Sequence, residues 1–230
     1  MKNPFKELTK FELGLWLFSV ISICVLFLIP AQKDYLTLTA SLIGVTMLIF
    51  ISKGYVFGQV LAVLFAVFYG IISFFFRYYG EMIIYFGMSA PIAVYTAIKW
   101  FKNLYNHSAE VTVKTLSGRE IIIMLALTGV VTAAFYFILK ALDTANLVIS
   151  VISVATNFSA AFLMIKRSSF YAIGYALNDI ALIVLWVLAA IENISYLPMI
   201  ACFVIFLIND IYGFYNWRRM KRRQAGISVS

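Results

Sequence analysis

The chain has 230 residues, of which 63% are hydrophobic and 12% charged, and its mean hydropathy is +0.96. That composition excludes an ordinary soluble domain and places the chain with membrane proteins. Its net charge of +8 does not point to nucleic acid, because the basic residues lie at both termini and between apolar runs, where they set topology.

In chain order, the charged stretch Met1–Phe11 precedes an apolar run with no small-residue cleavage site after it, which predicts a first span rather than a removed signal peptide. At roughly 20 apolar residues per crossing, the sequence predicts eight spans. They run Leu13–Ile29, Tyr35–Ile51, Tyr55–Phe76, Met82–Ile98, Glu120–Leu142, Asn146–Met164, Phe170–Ala190 and Tyr196–Asn216. Tyr78-Tyr79-Gly80-Glu81 reads as a turn at the outer surface, and Pro91 predicts a broken helix in the fourth span. The longest polar segment, Lys99–Arg119, holds the only histidine, His107, and is too short for a soluble domain, so residues 1–230 form one membrane domain. Ser117-x-x-Glu120 reads as a capping box that opens the fifth helix. Cys24 and Cys202 fall within apolar runs and indicate neither a disulfide nor a metal site.

Charge placement gives the orientation. With the N-terminus inside, fifteen basic residues, including Lys53, Lys99, Lys166 and the run Arg218–Arg223, fall on the cytoplasmic side. Only Lys33, Arg77 and Lys140 fall outside, so both termini are expected in the cytoplasm. Sliding the sequence by 116 places Ser52, Tyr55, Gly58 and Leu61 on Ser168, Tyr171, Gly174 and Leu177. One further residue of offset places Tyr95 and Trp100 on Tyr212 and Trp217. The expected fold is an all-α membrane bundle: an extra helix (13–29), a first triplet (35–98), a linker helix (120–142) and a second triplet (146–217). Four spans separate equivalent helices, so the repeat is parallel, as in SWEET proteins.

Asn178-Asp179 and Asn209-Asp210 lie inside these apolar stretches. A carboxylate near the bilayer centre costs about 2.5–3.5 kcal/mol, so the pairs predict a polar path or binding site between helices. Tyr171, Tyr175 and Asn178 share one face of the seventh helix, with Asp179 beside it; Asn209, Tyr212 and Asn216 share a face of the eighth, flanked by Asp210. Gln59 is the clearest polar contribution of the first triplet. Aromatic rings beside amides and carboxylates suit a flat, polar ligand such as a sugar joined to a heteroaromatic base. The expected substrate-binding set is Gln59, Tyr171, Tyr175, Asn178, Asp179, Asn209, Asp210, Tyr212 and Asn216. Each has a plainer alternative. The Asn residues, Asn157 included, could be interhelical glue, the two Asp residues could share a proton, and Tyr212, Trp100 and Trp217 could be interface anchors. No enzymatic motif, metal set or nucleotide-binding loop occurs, so neither catalysis nor a cofactor is expected.

The segment Asn209-Asp210-Ile211-Tyr212-Gly213-Phe214-Tyr215-Asn216-Trp217 with its basic tail, and Tyr79-Gly80-Glu81 at the end of the third span, resemble the PnuC family of bacterial vitamin and nucleoside transporters. The resemblance covers nearly the whole chain. It implies a SWEET-like fold, a homotrimer with one pathway per subunit in the cytoplasmic (inner) membrane, and facilitated diffusion of nicotinamide riboside, which a cytoplasmic kinase then traps. The family's nicotinamide riboside members carry Trp-x2-Trp-x3-Asn on the seventh helix, where this chain has Tyr171, Gly174 and Asn178. Related members take thiamine, riboflavin or deoxynucleosides. Proton coupling through Asp179 or Asp210 is the alternative mechanism, and a membrane scaffold or sensor is the alternative from another class.

Overall fold

The computed structural model describes residues 4–28, 35–75, 79–106, 108–144, 146–192 and 197–226. His107, Lys33, Arg77 and Tyr78, and the expected span ends at Ile29, Phe76 and Tyr196, lie outside the described residues. The helices are α1 (Lys10–Phe27), α2 (Tyr35–Ser52), α3 (Val56–Phe75), α4 (Tyr79–Ile84), α5 (Ala90–Phe101), α6 (Gly118–Ala141), α7 (Leu147–Ile165), α8 (Tyr171–Glu192) and α9 (Leu197–Gln224). Eight of the resulting segments are long and apolar enough to cross a membrane, in register with the eight expected spans.

Local chemistry accounts for most boundaries. The fourth span joins α4 and α5 through a π turn at Tyr85–Ser89, immediately before Pro91. Proline cannot donate to the carbonyl one turn back, and the wider turn absorbs that loss. The capping box at α6 forms as expected: the Glu120 N–H donates to Ser117 Oγ at 3.3 Å and the Ser117 N–H to Glu120 Oε2 at 3.0 Å. A second capping box, Thr9 with Glu12, opens α1. The basic tail does not end α9, which continues as helix to Gln224. Residues 79–81 open α4 instead of forming a turn.

Neighbouring helices pack α2 on α3, α3 on α5, α6 on α7, α7 on α8 and α8 on α9. Across these groups α2 lies against α9 and α5 against α7, while α1 lies against both α2 and α9. Two glycines permit close approach to a neighbouring helix backbone or Cβ. A Cβ at Gly58 would sit 2.6 Å from the Ile51 backbone nitrogen, and one at Gly174 would sit 2.8 Å from Ala160 Cβ. Trp100 and Trp217 are fully buried rather than at a membrane interface. Each indole adds a second bond to a helix-end carbonyl that already accepts a backbone N–H: Trp217 Nε1 donates to the Ile51 carbonyl of α2 at 2.9 Å, and Trp100 Nε1 to the Met164 carbonyl of α7 at 3.0 Å. The two rings meet with centroids 5.4 Å apart.

Candidate functional site

The carboxyl groups sit where α8 and α9 face each other. Asp179 and Asp210 are each 4% exposed and lie beside one another. Two adjacent buried carboxyls without a counter-charge resist ionising together, which favours one shared proton. The Oδ2 of Asp179 is buried with no partner among the described residues. No Lys, Arg or His occurs on α2, α3, α7 or α8 to neutralise the pair. Tyr171, Tyr175 and Cys202 are its titratable neighbours.

Asn178 is 8% exposed and oriented by α7. Its Oδ1 accepts from Ser153 Oγ at 3.0 Å and from Thr156 Oγ1 at 3.2 Å. With the carbonyl side used, its Nδ2 is bonded to nothing among the described residues. Tyr175 is partly exposed on the same side of α8, and its ring lies 6.3 Å from that of the buried Tyr171. Tyr171 in turn packs edge-on against Trp217, with centroids 4.8 Å apart. Gln59 is buried, and its Nε2 donates to Met164 Sδ at 2.9 Å, which joins α3 to α7 beneath the indole pair.

Three expected site residues face a different task. Asn209 Nδ2 donates to Ser19 Oγ at 3.1 Å and to the Ile205 carbonyl at 2.9 Å. Tyr212 Oη donates to Glu12 Oε1 at 2.9 Å, and Asn216 Nδ2 to the Ser52 carbonyl at 2.9 Å. These contacts dock α1 and the end of α2 onto α9. The structure therefore separates the polar residues into a group held between α7, α8 and α9 and a group that fastens α1 and α2.

Sequence reasoning passed over Glu12, which is 2% exposed and receives both the Lys53 ammonium (2.9 and 3.1 Å) and Tyr212. Its signal was Thr9-x-x-Glu12, a capping motif opening an apolar run. Asn157 also gains weight. It lies on the stripe of α7 that carries the buried Ser150, Val154, Ala161 and Met164, yet it is partly exposed and makes no side-chain hydrogen bond among the described residues. A cleft of about 150 Å³ between α8 and α9 touches Asp210, but Ala172, Ala176, Ile180, Ile211 and Phe214 make its wall apolar. Ile180 and Ile211 are exposed, so this cleft opens outward and does not suit a polar solute.

Comparison with known proteins fits this architecture. The nicotinamide riboside transporter PnuC of Neisseria mucosa is 25% identical, over 98% of this chain and 87% of its own length. A crystal structure of the vitamin B3 transporter PnuC superposes with a TM-score of 0.81 at 25% identity, covering 94% of each chain. Residues 34–219 match the family model described as nicotinamide mononucleotide transporter. The chain is thus a multi-pass membrane protein of the nicotinamide mononucleotide transporter, or PnuC, family.

Proposed function

We propose that this protein carries nicotinamide riboside, or a related vitamin or nucleoside, across the bacterial cytoplasmic membrane by facilitated diffusion. Both termini face the cytoplasm in this reading, on the strength of the basic residues gathered at those ends. The triplets α2–α5 and α7–α9, joined by α6, rock around a site at mid-depth and expose it to each side in turn. The reciprocal caps support that division: the tryptophan closing each triplet reaches the end of the first helix of the other. A trimeric assembly and a cytoplasmic kinase that phosphorylates the delivered substrate complete the proposal.

One observation supports the site most directly. Asn178 has its carbonyl fixed by two α7 hydroxyls, which leaves an oriented N–H donor. That donor, with Asn157, would bond ribose or amide groups; Tyr175 would stack on the heterocycle, with Tyr171 behind it and Gln59 closing the site from α3. Asp179 and Asp210 would accept from hydroxyls or face a positive ring. The test is a thermal-shift screen of purified protein against nucleosides and B vitamins, in which a ligand of the folded state raises Tm. Asn178→Leu is expected to abolish that shift while expression and oligomeric state persist. A variant that keeps the full shift removes Asn178 from the site.

A second reading has its own support. Two buried carboxyls side by side within the membrane-spanning region favour a shared proton, which would couple substrate movement to proton movement. Uptake into liposomes that follows an imposed pH gradient favours coupling; uptake indifferent to the gradient favours simple diffusion.

A further inference from the structure

The described residues of the connection between α5 and α6 are held by backbone hydrogen bonds. Asn103–Asn106 and Ser108–Thr112 lie against each other: the Tyr105 N–H donates to the Glu110 carbonyl at 2.8 Å, the Thr112 N–H to the Asn103 carbonyl at 2.9 Å, and Leu104 pairs with Val111. The returning arm then crosses the ends of other helices. The Val111 N–H donates to the Gly54 carbonyl at 2.9 Å, in the turn between α2 and α3. Three residues later, the Lys114 N–H donates to the Arg167 carbonyl at 2.9 Å, in the turn between α7 and α8. Gly54 and Arg167 both adopt left-handed backbone, with φ of 69° and 58°. From α9, Gln224 clasps the arm: its Oε1 accepts from the Val113 N–H at 2.8 Å and its Nε2 donates to the Val111 carbonyl at 3.1 Å. Arg223 pairs with Glu110 beside it.

One short run of backbone therefore ties the α2–α3 turn, the α7–α8 turn and the end of α9 together. It does so beneath the indole pair, because Val111 is fully buried in the cluster of Ile51, Trp100, Met164, Tyr171 and Trp217. On the transport reading, a solute leaving by this end has to part that cluster, and the arm bonds to the turns on both sides of it. A few hydrogen bonds in a connecting loop are the kind that open locally while the helices stay folded. We infer that residues 110–114 form a strap that keeps this end of the path shut, and that it lifts from Gly54, Arg167 and Gln224 each time a solute passes. The strap rests on the transport reading above.

Hydrogen exchange on the unliganded protein tests the strap without any substrate. Amides of Val111, Val113 and Lys114 are expected to exchange at least about tenfold faster than those at the centres of α2 and α9, because the strap opens alone. Equal protection overturns the inference. A second experiment uses Val113→Cys with Gln224→Cys in a Cys24→Ser, Cys202→Ser background, reconstituted and assayed by nicotinamide riboside counterflow. Bridging the pair with a short bis-methanethiosulfonate is expected to cut flux about tenfold or more, reversibly on reduction, while the ligand-induced thermal shift remains. Undiminished flux through the bridged protein sinks the strap and leaves the transport reading intact. If the cysteine-free parent carries neither nicotinamide riboside, thiamine, riboflavin nor a deoxynucleoside, the transport reading falls and the gate falls with it.

Discussion

Asn178 and Asn209 look alike in sequence, each followed by Asp inside a membrane-length helix, yet their neighbours give them different work. Ser153 and Thr156 take the Asn178 carbonyl, whereas Ser19 takes the Asn209 amide and its Oδ1 is buried without a partner among the described residues. Replacing Asn178 should therefore affect ligand binding, and replacing Asn209 should loosen α1. Gly174 bears on substrate choice. The position that is Trp in nicotinamide riboside members of the family, by the resemblance, lies here against α7, with Ala160 Cα 2.9 Å from where a Cβ would stand. Because the obstruction includes backbone, Gly174→Ala is expected to destabilise the protein by about 1–3 kcal/mol. Thermal unfolding in detergent measures this, and adding Ala160→Gly should recover much of the loss. A Gly174→Ala variant as stable as the parent would show that α7 and α8 can separate freely.

At the scale of elements, the seams on the two sides of the bundle are fastened unequally. Between α2 and α9 stand the Trp217 and Asn216 bonds to the end of α2, and Glu12 of α1 holds Lys53 and Tyr212 together. Between α5 and α7 the counterpart among the described residues is the Trp100 bond to Met164. The first seam should act as the fixed side of any rocking motion and the second as the side that opens. Glu12→Gln leaves the buried Lys53 ammonium without its counter-charge, an arrangement that typically costs about 3–5 kcal/mol. A marked fall in Tm is expected, while Glu12→Leu with Lys53→Met should lose much less, since no lone charge remains. If the single variant melts like the parent, the ion pair is not what fastens α1. Trp100→Phe removes one buried bond and should cost about 0.5–1.5 kcal/mol, since the Met164 carbonyl keeps the Arg167 N–H.

For the molecule as a whole, orientation is directly measurable. A green fluorescent reporter fused to the C-terminus should glow, and alkaline phosphatase fused there should stay inactive; the opposite pattern would reverse the proposed direction of the path. The eight spans were legible from sequence because hydrocarbon demands a continuous apolar run with every backbone bond made inside it. The break before Pro91 and the cap at Ser117 were legible because both depend on residues within one turn. What Asn209, Tyr212 and Asn216 touch was not legible, since their partners, Ser19, Glu12 and Ser52, lie more than 150 residues away in the chain. The approach of Asp179 to Asp210 and the burial of Val111 against Trp100 and Trp217 are likewise decided by how each helix is rotated against its neighbours. Composition and periodicity fixed that the chain crosses a membrane, where it does so, and that two carboxylates lie within the spans. Which polar groups bind helix to helix was settled by tertiary packing alone, because a side chain's partner depends on the rotation and approach of helices remote in sequence.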